Sequence, residues 1–100
     1  MDVISQIVNG VYTVSLIGHF TFTDNPEFRD ILEVIPKPEI TQIIVQMDKV
    51  DFVDSAALGM LLLARESAEK HGKKLVISGT QGQVKRIFEM ARFDQIFNFI

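Results

Sequence analysis

The pattern of hydrophobic and polar positions begins with two short runs rich in β-branched residues. The runs cover residues 3–8 and 11–17 and meet at Asn9-Gly10. An Asn-Gly pair readily adopts the two positive φ angles of a type I′ turn, and between such runs it is the strongest short-range signal of a β-hairpin. The chain is therefore predicted to open with an antiparallel hairpin.

The next segment carries apolar residues at helical spacing. Asp24 or Asn25 can cap a helix here, and Pro26 suits its first turn. Apolar residues then recur three or four apart up to Ile35, and the prolines at positions 36 and 38 end the pattern. His19 falls between the hairpin and this helix, so it is expected in a loop.

The rest of the chain alternates predicted strands with predicted helices. In order, the pattern indicates a mostly buried strand over 42–48, a helix over about 55–70, a strand over 74–78, a helix with a capping box from Thr80 to Gln83, and a short edge strand over 97–100. Strand–helix–strand units imply right-handed parallel crossovers. We therefore expect one α/β domain over residues 1–100, with a mixed sheet made of an antiparallel hairpin and parallel βαβ units, covered by helices.

Composition and charge exclude several classes of function. Hydrophobic residues make up 47% of the chain and charged residues 23%, as in ordinary globular domains. The net charge of −3 argues against direct binding to nucleic acid, which needs a basic surface. The most apolar stretch, Ala56–Ala64, is too short to span a bilayer, and no secretory signal is visible, so we expect a cytoplasmic domain without membrane insertion.

Signals for catalysis are weak. The chain has no cysteine, and its two histidines, His19 and His71, have no second ligand at metal-binding spacing. No glycine-rich phosphate-binding motif occurs. The residues themselves therefore carry no familiar signature of a catalytic or metal-binding site.

One polar constellation stands out at residues 48–55, where a predicted strand leads into a predicted helix. Open α/β sheets place their sites at such strand ends. Asp54 or Ser55 can cap the helix, which is a common structural role for these residues. An alternative is a receiver-like site, with Asp48 as phosphoryl acceptor and the other aspartates binding magnesium, although no lysine follows the late strand as that chemistry requires.

The helix predicted over 55–70 has two distinct faces. Its core face is expected to carry the small and apolar side chains of Ala57, Met60, Leu61, Ala64 and Ala68. Leu58, Gly59 and Leu62 fall on or beside the polar face. Glycine costs about 1 kcal/mol against alanine inside a helix, so Gly59 suggests that another backbone approaches closely. Either a partner protein or a neighbouring helix of the same domain could cover the two leucines.

Four segments of the chain resemble a known family. Residues 50–61, Val-Asp-Phe-Val-Asp-Ser-Ala-Ala-Leu-Gly-Met-Leu, resemble the signature of the STAS domain found in bacterial anti-sigma factor antagonists. Gly18-His19-Phe20 and residues 72–77 and 84–94 match further segments of that family in the same order. The resemblance covers nearly the whole chain.

The resemblance implies a phosphorylation-dependent switch. In such antagonists the serine that follows the aspartate is phosphorylated by a serine protein kinase that is also the anti-sigma factor, and a serine phosphatase restores it. Carried over, Ser55 is the phosphoacceptor and ATP belongs to the kinase. The resemblance therefore implies a domain that is not an enzyme and has no cofactor of its own. The implied output is signal transduction that regulates transcription indirectly. The residues expected to bind the partner are Asp54, Ser55, Leu58, Gly59, Leu62, His19 and Phe20.

Other branches of the family leave an alternative open. Some STAS domains serve as constitutive interaction subunits of transport or stress-signalling complexes. Ala56 stands where many members have a second serine or threonine, so Ser55 is the one obvious target if phosphorylation occurs.

Overall fold

The hairpin forms where Asn9-Gly10 predicts it. Both residues have positive φ, 51° and 81°, and Val8 pairs with Val11 across the turn. The computed structural model describes all 100 residues. Its strands and helices are β1 (Asp2–Val8), β2 (Val11–Phe20), α1 (Asn25–Val34), β3 (Gln42–Val53), α2 (Ser55–Lys70), β4 (Lys74–Ser78), α3 (Gly82–Met90) and β5 (Asn98–Phe99), with short 3₁₀ turns at Phe22–Asp24 and Phe93–Gln95.

The five strands form one mixed sheet in the order β1-β2-β3-β4-β5. The β1–β2 pair is antiparallel, and the three remaining pairs are parallel. The predicted α/β fold with a mixed sheet is confirmed.

The core lies between one face of the sheet and the helices. Alternate residues of β2 and β3 are buried and join side chains from all three helices in one apolar cluster. The predicted core face of α2 is confirmed, since Ala57, Met60, Leu61, Ala64 and Ala68 are its buried residues. None of the helices combines the length and apolarity needed to cross a bilayer.

Strands β2 and β3 run further than the pattern predicts. We expected β3 to end at Asp48, but it continues to Val53, and His19, expected in a loop, lies within β2 opposite Phe52. The β2–β3 register shifts between Ser15 and Ile17 and again after Gly18. These irregularities break the simple alternation, so a charged segment that reads as a loop is held in the sheet by its partner strand.

The start of α3 also differs from the prediction. The N-cap is Gln81, without a side-chain capping bond, so the capping box from Thr80 to Gln83 is wrong. The side-chain amide of Gln81 instead donates to the carbonyl oxygen of Asp48 at 2.9 Å. This contact fastens the start of α3 to β3.

Candidate functional site

Asp54 organises the junction between β3 and α2. It is the N-cap residue, and its Oδ1 accepts a hydrogen bond from the N–H of Ala57 at 2.8 Å. Its Oδ2 accepts a second bond from the N–H of Phe22 at 3.1 Å, and its own N–H donates to the carbonyl of Phe20. One carboxylate therefore caps α2 and also holds the connection between β2 and α1 against the start of α2.

Ser55 is the first residue of α2, and its side chain is exposed. The earliest N–H groups of a helix have no intrahelical acceptor. Asp54 satisfies the N–H of Ala57, which leaves those of Ser55 and Ala56 facing outward at the positive end of the helix dipole. The position can accommodate a negatively charged group without disturbing the cap.

The exposed face of α2 continues from Ser55 to Gly59 and Leu62. A Cβ atom built on Gly59 would have no neighbour within 4 Å, so no part of this domain packs there. Leu62 is 40% exposed, which confirms that another helix does not cover it. Leu58 is partly buried against the core and contributes only part of its side chain to this face.

His19 and its neighbours lie at the adjacent strand ends. Nδ1 of His19 is 2.9 Å from a carboxylate oxygen of Asp51, and the imidazole meets the ring of Phe52 edge-on at 5.8 Å between centroids. Both polar side chains are largely exposed. His19 was expected in a loop and lies instead near the end of β2, with its side chain exposed.

Two exposed aromatic residues were not singled out from the sequence. Phe22 is 68% exposed and Phe52 is 39% exposed. Their polar neighbours, threonine on both sides of Phe22 and Asp51 before Phe52, were the available signal, because aromatic residues in polar runs are less often core residues. We call Ser55, Gly59, Leu62, Phe22 and Phe52 together the Ser55 surface.

Phe20 does not belong to this surface. Its side chain is fully buried and stacks on Phe28 with 5.4 Å between ring centroids. The expectation that Phe20 contacts a partner is therefore wrong for the side chain. Phe20 contributes through its carbonyl oxygen, which positions Asp54.

The receiver-like alternative finds no support in the geometry. No group of three or more histidine, cysteine, aspartate or glutamate side chains is placed to hold a metal ion. Asp48 lies on β3, and the backbone of Gly79 approaches it so closely that a Cβ on Gly79 would clash with it. The three aspartates at positions 48, 51 and 54 are thus not assembled into a magnesium site.

Asp24 supports the loop that carries Phe22. This buried carboxylate accepts hydrogen bonds from the α-ammonium of Met1 and from the N–H of Thr21, both at 2.8 Å. Burial of the carboxylate opposes its ionisation, but these hydrogen bonds and the nearby positive charge outweigh burial and hold the pKa of Asp24 below its ordinary value. The hydrogen bond to Asp24 in turn raises the pKa of the Met1 ammonium.

The amino-acid sequence is similar to those of several known proteins. The chain is 30% identical over 88 residues to a STAS-domain containing protein of Pseudomonas aeruginosa (strain UCBPP-PA14), covering 85% of this chain and 83% of that one. It is 25% identical over 79 residues to an anti-sigma-B factor antagonist of Staphylococcus aureus (strain NCTC 8325 / PS 47), covering 79% and 73%.

Solved structures share the fold at lower identity. An anti-sigma factor antagonist from Mycobacterium paratuberculosis has a TM-score of 0.84 at 16% identity, with 98% of this chain and 83% of that chain covered. The antagonist SpoIIAA matches in its unphosphorylated form (TM-score 0.73, 17% identity, 95% and 97% covered) and, from Bacillus, in its phosphorylated form (0.77, 14%, 99% and 91%).

An anion transporter also contains this fold. The murine Solute Carrier 26 family member A9 anion transporter matches with a TM-score of 0.72 and 23% identity over 85% of this chain and 14% of its own. The family model described as the STAS domain matches residues 2–100. The chain belongs to the STAS domain family.

Proposed function

We propose that this protein is a partner-switching antagonist of an anti-sigma factor. In its unmodified form it binds, through the Ser55 surface, an anti-sigma factor that is also a serine protein kinase. Phosphorylation of Ser55 ends the binding, and a serine phosphatase restores it. The observation that carries the proposal is an exposed serine at the start of α2, set among exposed apolar side chains. The anti-sigma-B factor antagonist among its sequence relatives supports this direction.

The apolar part of the Ser55 surface supports binding to a protein. Phe22 and Phe52, close to the start of α2 in contact and in sequence respectively, and Leu62, two turns along that helix, are exposed large hydrophobic residues. Exposed apolar groups that cluster, and aromatic residues above all, mark interaction surfaces. Gly59 adds an open site on the helix where a partner's backbone can approach closely.

The charge of a phosphate explains release. A phosphate on Ser55 adds roughly −1.5 to −2 charges at pH 7. Asp54 and Asp51 already make this region negative, so a partner pressed against it meets a much stronger repulsion. The open N–H groups at the start of α2 favour the phosphate locally, so the domain stays folded while the complex dissociates. Both the unphosphorylated and the phosphorylated form of SpoIIAA share this fold, which supports a domain that stays folded when phosphorylated.

The proposal includes the location and output expected from the sequence. The protein acts in the cytoplasm by binding, without catalysis or a cofactor of its own, and it affects transcription without contacting nucleic acid. The kinase brings ATP to the complex.

The test is capture of the partner with the tagged chain from the native cell, followed by calorimetry with the purified partner. Ser55→Ala is expected to fold, to bind and to take up no phosphate. Ser55→Asp is expected to fold but to bind at least tenfold more weakly. Ser67→Asp adds the same charge to α2 away from the Ser55 surface and serves as the matched control. Unchanged binding by Ser55→Asp, or phosphate incorporation into Ser55→Ala, would contradict the switch.

A second candidate is a non-switching subunit of a transport complex. The fold shared with the Solute Carrier 26 family member A9 transporter favours it. In that case the captured partner is a membrane transport protein, and Ser55 carries no phosphate in the cell. The same capture experiment, with mass spectrometry of Ser55, separates the two candidates.

A further inference from the structure

Strand β1 leaves one edge of the sheet open. It is the first strand in the order of the sheet and pairs only with β2. Among the backbone hydrogen bonds outside paired strands and helices, none involves residues 2–8. Its outward N–H and C=O groups therefore form an unpaired row along seven residues.

The hairpin determines which of these groups point outward. In a two-residue hairpin the closing residues, here Val8 and Val11, exchange both backbone hydrogen bonds. Bonded and non-bonded pairs then alternate along β1, so the N–H and C=O groups of Val3, Ser5 and Ile7 face away from β2. These three residues offer hydrogen bonds to an added strand.

The edge lacks the devices that usually prevent strand addition. Natural edge strands are protected by lysine, proline, bulges or very short length. Strand β1 has no lysine or proline, its register with β2 is continuous, and its only charge is at Asp2. Ile4 and Val8 are 65% and 54% exposed on it. An edge left this open fits a strand that binds there.

A groove runs beside this edge, between β1 and α1. Its volume is about 490 Å³, and its apolar lining includes Tyr12, Ile31 and Val34. Its charged side chains are Asp2, Glu27 and Asp30, and no lysine or arginine lines it.

The acidic side chains of the groove affect the pKa values of two other groups that line it. The Met1 ammonium is already paired with Asp24, and the charges of Glu27 and Asp2 help to raise its pKa. Burial raises the pKa of the Tyr12 hydroxyl, the Ser5 side chain opposes this, and the charge of Asp30 adds to it. The groove is therefore an apolar channel with an acidic rim.

We propose that β1 and this groove bind an extended, basic segment of a partner protein as an additional antiparallel strand. Backbone groups of Val3, Ser5 and Ile7 hold the segment, and alternate lysine or arginine side chains reach Glu27 and Asp30. Charge favours this occupant over a second copy of the chain, because pairing two β1 edges brings the acidic sides of two α1 helices together. The binding site shares no residue with the Ser55 surface, so it stands independently of the function proposed above.

The test is an NMR titration of the ¹⁵N-labelled chain with two synthetic octapeptides. In one, lysine alternates with valine, and in the other glutamate replaces lysine. The lysine peptide is expected to shift the amide signals of β1 and α1, and the glutamate peptide to bind at least tenfold more weakly. Equal binding of both peptides, or shifts confined to α2, overturns the proposal.

Variants of the chain test the backbone contacts and the charges separately. Ser5→Pro removes an outward N–H without removing a bond to β2, and is expected to lower the affinity for the lysine peptide at least tenfold. Ser5→Ala keeps the N–H and is the matched control, expected to bind within twofold of the wild type. Glu27→Lys combined with Asp30→Lys is expected to reverse the preference between the peptides. Wild-type affinity in Ser5→Pro contradicts strand addition.

Two further measurements keep the proposal decidable. If Ser5→Pro fails to fold, a peptide N-methylated at its lysine residues, whose N–H groups face β1, tests the same hydrogen bonds from the peptide's side, and unchanged affinity overturns the proposal. Sedimentation equilibrium of the free chain tests the rival occupant. A dimer that Ser5→Pro abolishes would show that β1 binds a second copy instead.

Discussion

Replacing Gly59 with alanine tests the exposed face of α2 with the smallest possible change. Gly59 lies inside a helix of 16 residues, and a Cβ at this position meets nothing within 4 Å. The substitution therefore adds no clash, and it removes the helix-propensity cost of glycine, about 1 kcal/mol. The free energy of unfolding is expected to rise by up to that amount, which corresponds to about 4–8 °C in melting temperature for a domain of this size.

The assay is urea and thermal denaturation of the isolated chain, with Gly79→Ala as the contrasting variant. Gly79 has a φ of 75°, and a Cβ there would lie 2.7 Å from the Cβ of Asp48. Gly79→Ala is expected to lose about 2–5 kcal/mol, because a left-handed backbone and a clash both oppose the side chain. If Gly59→Ala also lowers the free energy of unfolding, the description of an open helix face is wrong.

The same variant has a second expected effect on binding. Where a partner's backbone approaches Gly59, an added methyl group forces the two surfaces apart at a cost of about 1–3 kcal/mol. Affinity for the captured partner should therefore fall by roughly 5- to 150-fold while stability rises. An affinity that stays unchanged in a stabilised variant would place the partner elsewhere.

Three further predictions concern single side chains. Leu62→Lys should lower the free energy of unfolding by no more than about 1 kcal/mol in urea denaturation, and should weaken partner binding by about 2 kcal/mol or more. Leu61→Lys, at a fully buried position, should lower the free energy of unfolding by several kcal/mol in the same assay. Asp54→Ala should lower the free energy of unfolding by about 1–2 kcal/mol through loss of the cap, and hydrogen exchange at the start of α2 should accelerate. The raised pKa of the Met1 ammonium means that its ion pair with Asp24 stabilises the chain below about pH 8, and that this contribution is lost as pH rises through the raised pKa. Asp24→Asn should remove most of this pH dependence of the free energy of unfolding, measured in urea. An unchanged dependence of that free energy on pH would refute the pairing.

Local sequence signals predicted those parts of the fold whose causes are local. Helix α2 and strand β4 have the predicted bounds, because capping, helical spacing and a terminal glycine act within a few residues. The end of β3 was missed, because residues 49–53 are held by pairing with β2, more than thirty residues earlier in the chain. Charge along that segment indicated a loop, and only the partner strand overrides it.

The candidate site shows the same division. The sequence predicts that Asp54 or Ser55 caps α2, and the resemblance places both residues among those that bind a partner. In the structure Asp54 is the cap, and its carboxylate also accepts the N–H of Phe22, more than thirty residues earlier in the chain, a contact that local sequence does not signal. Burial of Phe20 and exposure of Phe22, two residues apart, also depend on how the segment before α1 packs on the core, and the threonines beside Phe22 signal only part of this.

The order of strands in the sheet has a consequence for how the chain folds. Because the spatial order follows the chain order, every strand pairs with the one made just before it. Each closure then involves the hairpin turn or one crossover of a few tens of residues, and no pair has to join the two ends of the chain. This favours faster folding than in sheets that pair strands from distant parts of the chain. During synthesis the hairpin can form first, and each later unit adds to an edge that already exists. The growing sheet thus always presents its next strand with a template.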